Sequence, residues 1–115
     1  MHEASIAHSI IDVVSRQCAE GGYRHIEAIN IRIGRASGIM PDALLFAFDA
    51  MKAETIASHA VLRIQEIPVT GSCDDCGGEF TAGEEFVLSC PLCGGGSFRI
   101  TGGREMDIID MEVAE

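Results

Sequence analysis

Cys73-Asp-Asp-Cys76-Gly-Gly and Cys90-Pro-Leu-Cys93-Gly-Gly are two copies of one short unit, with 13 residues between Cys76 and Cys90. Zinc takes four ligands at the corners of a tetrahedron, and thiolates at about 2.3 Å are favoured donors. A Cys-x-x-Cys-Gly turn folds back so that both sulfurs reach one ion. The glycines accept the positive φ of such a turn and leave backbone N–H groups free to point at sulfur. Two such turns saturate the ion and leave no position for water, so the spacing predicts a structural site on Cys73, Cys76, Cys90 and Cys93. Two disulfides, four free thiols and a mononuclear iron are the competing readings of the same residues.

The composition around this unit decides the domain organisation. Residues 70–104 hold nine of the 13 glycines and four of the five cysteines, with little apolar periodicity. They read as a zinc-ribbon-like lobe inserted into an α+β domain just before its last strand. The flanking segments carry the periodicity that the lobe lacks. Ile6, Ile10, Val13 and Val14, widened by Ala7, Ile11 and Cys18, predict an amphipathic helix over 4–19 that Gly21-Gly22 stops. Glu3 precedes it at the positive end of the helix dipole. Ile29, Ile31 and Ile33 alternate with Asn30 and Arg32, a half-buried strand over 26–33 closed by Gly34. Pro41 opens a second helix, about 41–56, with Leu44, Leu45, Phe48 and Met51 as its stripe. Val61–Ile67 is a second strand, and Ile109, Met111 and Val113 against Asp110 and Glu112 mark a third. The adjacent Ile108 and Ile109 break that alternation and predict a bulge. The fold class is therefore α+β, with two helices on a three-stranded sheet built from 1–69 and 105–115 and a zinc-binding lobe from 70–104.

Charge and hydropathy exclude several function classes. The 115 residues carry 8 Lys+Arg against 18 Asp+Glu, a formal −10. So acidic a surface repels a phosphate backbone, which argues against nucleic acid as partner. No apolar run reaches the ~18–20 residues of a membrane span, and the first residues show no secretory signal, so a cytoplasmic location is expected. Asp74, Asp75, Glu79, Glu84 and Glu85 form an acidic rim on the lobe. No catalytic triad or carboxylate pair is visible. A metal enzyme would need an open ligand position beside a base, which no further Cys or His supplies, so no enzyme is expected.

A second constellation lies at the start of the chain. Met1 offers an amine, His2 an amide nitrogen and an imidazole, and Glu3 a carboxylate. Nitrogen donors in fused chelate rings suit Ni(II) or Cu(II), which tolerate flat geometry, better than zinc. A histidine near a terminus is also an ordinary solvated side chain, and spacing alone does not prove nickel. His8 is a spare donor on the first helix, His25 and His59 read as hydrogen-bonding caps at element ends, and Cys18 as a small core residue.

Taken together, Met1-His2-Glu3-x-Ser5-Ile6-Ala7, the two Cys-x-x-Cys units, Ile33-Gly34 before the Pro41 helix, and Gly103-Arg104-Glu105-Met106 resemble the HypA/HybF family of hydrogenase nickel-insertion proteins over essentially the whole chain. Ala4 departs from the larger apolar residue expected there. The resemblance implies a nickel metallochaperone with Ni(II) held by His2, with Met1 and Glu3 contributing, and a structural zinc. It implies a HypB-type GTPase as partner and delivery to the large subunit of a [NiFe] hydrogenase, with urease maturation factors as further partners in some members. A zinc-ribbon adaptor with an incidental N-terminal histidine is the alternative.

Overall fold

The computed structural model describes residues 3–82 and 87–114. Its centre is β1 (His25–Gly34), which lies between β2 (Val61–Ile67) and β6 (Met106–Ala114). β1 runs parallel to β2, and α2 (Pro41–Met51) makes the crossover that a parallel pair requires. β6 pairs with β1 antiparallel. Ile29, Ile31 and Ile33 are all buried on one face, with Leu62 and Ile64 of β2 and Met111 and Val113 of β6 beside them. α1 (Glu3–Gly21) and α2 cover that face. The opposite face is polar: Asn30 Nδ2 donates to Asp110 at 2.6 Å, Arg32 to Asp107 at 2.8 Å, and Arg63 pairs with Glu112. One packed and one solvated face is the usual state of such a sheet.

The strand register confirms the bulge. Ile31 pairs with Ile108 and Asn30 with Asp110, so Ile109 is the extra residue. A second shift puts an extra residue on β1 at Glu27, between Ile26 and Ala28.

The helices differ in detail from the sequence expectation. α1 buries Ile6, Ala7, Ile10, Ile11, Val14 and Cys18, but Val13, predicted on the same stripe, is 40% exposed. It sits on the flank facing β6, where neither helix covers the sheet. α2 buries Leu44 and Phe48, yet ends at Met51 rather than near 56. Beyond it Glu54 takes a positive φ of 64°, the Thr55 hydroxyl donates to the Lys52 carbonyl, and Lys52 Nζ donates to the Ala60 carbonyl at 3.0 Å. These local bonds replace the helix with turns that seat Ala57 and Ala60 in the core.

The second sheet is β4 (Glu79–Thr81), β3 (Thr70–Cys73) and β5 (Phe98–Gly102). Its cluster is thin: Cys73, Phe80 and Cys90, with Val87 and Phe98 partly buried. Phe80 and Phe98 meet edge to face, 6.1 Å between centroids. The two sheets lie along a long axis of 53 Å, and the radius of gyration is 17.6 Å, against about 13 Å for a compact domain of this length.

The segment after β1 clasps the two connections between the sheets. The N–H of Gly34 donates to the Glu105 carbonyl at 2.7 Å, that of Arg35 to Ile67 at 2.9 Å and that of Ala36 to Gly103 at 2.7 Å. The approach is close enough that a Cβ on Gly34 would lie 2.0 Å from the Gly103 oxygen, and Gly103 itself has φ +106°. Only residues without side chains fit here.

Candidate metal centre

The two Cys-x-x-Cys-Gly units fold into two matching turns. In the first, the Gly77 N–H donates to the Cys73 carbonyl at 3.0 Å, and the Cys73 N–H to the Gly78 carbonyl at 2.9 Å. In the second, Gly94 donates to Cys90 at 2.7 Å, and Cys90 to Gly95 at 2.8 Å. Gly77 and Gly94 have φ of +71° and +78°, the left-handed conformation inferred from the sequence. β3 carries Cys73 into the pair, and the Asp74 N–H donates to the Ser97 carbonyl at 2.8 Å, tying the first turn to the start of β5.

The four sulfurs converge, all within 4.8 Å of one another. Cys73 and Cys93 are 3.6 Å apart, and Cys76 and Cys90 3.9 Å. A disulfide needs about 2.05 Å. A regular tetrahedron with metal–sulfur bonds of about 2.3 Å has edges of about 3.8 Å, which is the spacing found. The arrangement fits one tetrahedral ion and does not fit two disulfides.

Electrostatics agree. Burial pushes the Cys90 thiol up, but the N–H groups of Cys93 and Leu92 and the thiols of Cys73 and Cys93 outweigh it, bringing it down to about 7. The Gly95 N–H draws Cys93 down, yet Cys73, burial and the other two thiols push it up to about 12. For Cys76 the Gly78 N–H lowers the value, while burial and the thiols of Cys73 and Cys90 raise it overall. One thiolate forms readily and each further one meets the charge of the first. A dication at the centre removes that conflict. The N–H groups of Leu92 and Gly95 lie 3.4 Å from the sulfurs of Cys90 and Cys93, where they offset thiolate charge.

The chain also shows its relationship to known proteins. The family described as "Hydrogenase/urease nickel incorporation, metallochaperone, hypA" matches residues 1–113. The hydrogenase maturation factor HypA of Chloroflexus aggregans is 39% identical over 112 residues, covering 97% of this chain and 98% of its own length. That of Cereibacter sphaeroides is 41% identical over 113 residues, covering 98% and 99%. The chain belongs to the HypA family. Its fold is similar to the solution structure of the Ni metallochaperone HypA from Helicobacter pylori, with a TM-score of 0.67 and 26% identity over 98% of this chain and 97% of that one. A second HypA solution structure gives a TM-score of 0.71 at 26% identity, covering 99% and 97%. The family is described as one of hydrogenase and urease nickel-incorporation metallochaperones, which places the chain in a family of maturation factors.

Of the HypA-type N-terminal residues, Met1 and His2 lie outside the described residues, as do Glu84 and Glu85 of the acidic rim. Glu3 opens α1, and its carboxylate accepts the N–H of Met40 at 3.2 Å. Met40 is the N-cap residue of α2 and has no side-chain cap of its own. Glu3 therefore ties the starts of both helices together, a role that sequence spacing did not reveal. His8, His25 and His59 are all exposed. Among the described residues neither His25 nor His59 makes a side-chain hydrogen bond, so the expectation of hydrogen-bonding caps is not met. His25 opens β1 opposite Ala114 of β6, and His59 lies in the turn before β2. Cys18 is fully buried, 3.7 Å from the Met111 sulfur, and burial pushes its thiol up.

Proposed function

We propose that this HypA-family chain captures Ni(II) at Met1, His2 and Glu3 and hands it, with a HypB-type GTPase, to the large subunit of a [NiFe] hydrogenase in the cytoplasm. The observation that carries the reading is the match to the nickel-incorporation family from residue 1 to residue 113, which takes in the whole N-terminal motif. The geometry supports a division of labour. Residues 1–69 and 105–115 are the nickel-handling domain, and 70–104 the zinc lobe. Cys73, Cys76, Cys90 and Cys93 hold zinc as a closed set with no room for a reacting water, so the ion holds shape and performs no chemistry.

The nickel chelate is open by contrast. The amine of Met1 and the amide and imidazole of His2 supply nitrogen, and each donor can leave in turn as the ion moves to an acceptor. The Glu3 carboxylate accepts the Met40 N–H at 3.2 Å, which anchors the start of α1 next to the chelate, and Glu3 contributes a backbone or carboxylate donor. The test is metal content of untagged protein after gel filtration in the presence of Ni(II). One zinc and one nickel per chain is the expected result. One zinc and no nickel would establish the zinc-ribbon adaptor instead.

A further inference from the structure

The four sulfurs of the metal centre are not equivalent. Cys73 and Cys90, the first cysteine of each turn, are buried at 2% and 1% exposure, whereas Cys76 and Cys93, the second of each, are exposed. Each exposed cysteine rests its sulfur on a buried one of the opposite turn, Cys93 on Cys73 at 3.6 Å and Cys76 on Cys90 at 3.9 Å. The exposed ends also have room to move: at Gly77 and Gly94, which follow Cys76 and Cys93, nothing lies within 4 Å of where a Cβ would stand. The buried ends are held. Cys73 pairs with Phe98 of β5, and the N–H groups of Cys73 and Cys90 donate to the Gly78 and Gly95 carbonyls. The fifth cysteine, Cys18, is fully buried in the main core. A reagent arriving from solvent therefore meets Cys76 and Cys93 first.

We propose that the lobe is a peroxide-responsive thiol switch, in which Cys93 and Cys76 are oxidised by a hydroperoxide and Cys73 and Cys90 close disulfides across the two turns. The Cys93 thiolate attacks one oxygen of hydrogen peroxide. An S–O bond forms, the O–O bond breaks and hydroxide leaves, so the sulfur gives up two electrons and becomes a sulfenic acid. The Cys73 thiolate then attacks that sulfur. The S–S bond forms, the S–O bond breaks and a second hydroxide leaves, each hydroxide taking a proton from solvent. A second peroxide does the same with Cys76 and Cys90. Four thiolates and two peroxides thus give two disulfides and four hydroxides, and Zn(II), left without thiolate donors, departs with its oxidation state unchanged. The sulfurs close from 3.6 and 3.9 Å to about 2.05 Å, a movement that the open space at Gly77 and Gly94 allows. Both disulfides join one turn to the other, so the oxidised lobe stays cross-linked where zinc had held it, and a thiol reductant restores the site. Disulfides within each turn would leave the two turns unlinked. The inference rests on zinc at the four cysteines and is independent of nickel hand-over.

The experiment treats the untagged, zinc-loaded full chain with hydrogen peroxide beside a zinc-indicator dye, alkylates the remaining thiols under denaturing conditions, and maps the unreduced peptides by mass spectrometry. Expected are loss of the bound zinc for about two peroxides consumed per chain, a chain four hydrogens lighter, disulfides Cys73–Cys93 and Cys76–Cys90, and alkylation at Cys18 alone. Amide exchange across 70–102 should keep its protection in the oxidised protein and lose it in reduced protein stripped by a chelator. Dithiothreitol with added zinc should restore the zinc content. Cys18→Ala should release zinc at the wild-type rate, and slower release would move the reactive thiol to Cys18 and overturn the assignment. Zinc retained in excess peroxide, disulfides within the turns, or oxidation to sulfinic acid without disulfide overturns the switch and leaves the zinc site standing. Protein that holds no zinc before peroxide is added overturns the zinc assignment and this proposal together.

Discussion

Replacing Cys73 with Ser should empty the zinc site and unfold the lobe while the rest of the molecule stays folded. Cys73 ends β3, is 2% exposed, and its sulfur lies 3.6 Å from that of Cys93. The apolar side chains available to hold the lobe are Phe80, Val87 and Phe98, and only Phe80 is fully buried. At about 1.5–3 kcal/mol for each fully buried side chain, the three together stabilise the lobe by no more than about 5–9 kcal/mol. A structural zinc contributes on the order of 10–16 kcal/mol, so the metal stabilises the lobe more than its apolar side chains do, and a serine hydroxyl is a poor replacement for a thiolate. The lobe cluster and the main core share no buried residue. Amide exchange followed by mass spectrometry, with zinc measured in parallel, should show protection lost across 70–102 and kept in α1, β1 and α2. A zinc-free variant whose lobe stays protected would refute the idea that zinc holds it. Protection lost through β1 and α1 as well would refute the separation of the two cores.

Gly34→Ala places a methyl group 2.0 Å from the Gly103 oxygen. It should cost at least about 1–3 kcal/mol of stability by overpacking, and should raise the radius of gyration measured by X-ray scattering above that of the wild type as the clasp between the sheets opens. Glu3→Gln keeps an acceptor for the Met40 N–H but loses the charge at the start of α1. Thermal unfolding should register a loss of about 0.3–1 kcal/mol, with nickel stoichiometry unaltered. Cys18, buried and with its thiol pushed up by burial, should resist alkylation in native protein while chelator treatment exposes the four lobe cysteines. Because the folded state favours the neutral thiol, the Cys18 contribution to stability is intact below the unfolded thiol pKa of about 8.5 and is lost as pH rises beyond it.

The elements with strong periodicity were legible from sequence. Ile29, Ile31 and Ile33 announced a central strand, and the Ile108-Ile109 doublet announced the bulge at Ile109. The metal site was legible because its information is local: four cysteines at fixed spacing with glycine after each pair. What could not be read is what depends on distant residues meeting. The parallel order β2-β1-β6 comes from tertiary packing. The early end of α2 comes from bonds made by Lys52 and Thr55 that compete with helical ones. Val13 matched the helical stripe, and only the absence of a helix over β6 leaves it exposed. The Glu3–Met40 bond joins residues 37 apart in sequence, and the Gly34–Gly103 approach joins two glycines whose sequence neighbourhoods carry no sign of each other.

Nickel capture by the first three residues is the central claim, and His2 is its most direct test. Its imidazole is the single neutral, high-affinity side-chain donor of the proposed chelate. Zinc-loaded wild type and His2→Ala protein, both with free N-termini, are titrated with Ni(II) in a calorimeter at matched pH. The wild type is expected to show one tight site, weakened as pH falls through the imidazole range near about 6.5. His2→Ala is expected to show no tight site, with zinc content and circular dichroism unchanged. Equal nickel affinity and stoichiometry in the two proteins would contradict capture at the N-terminus.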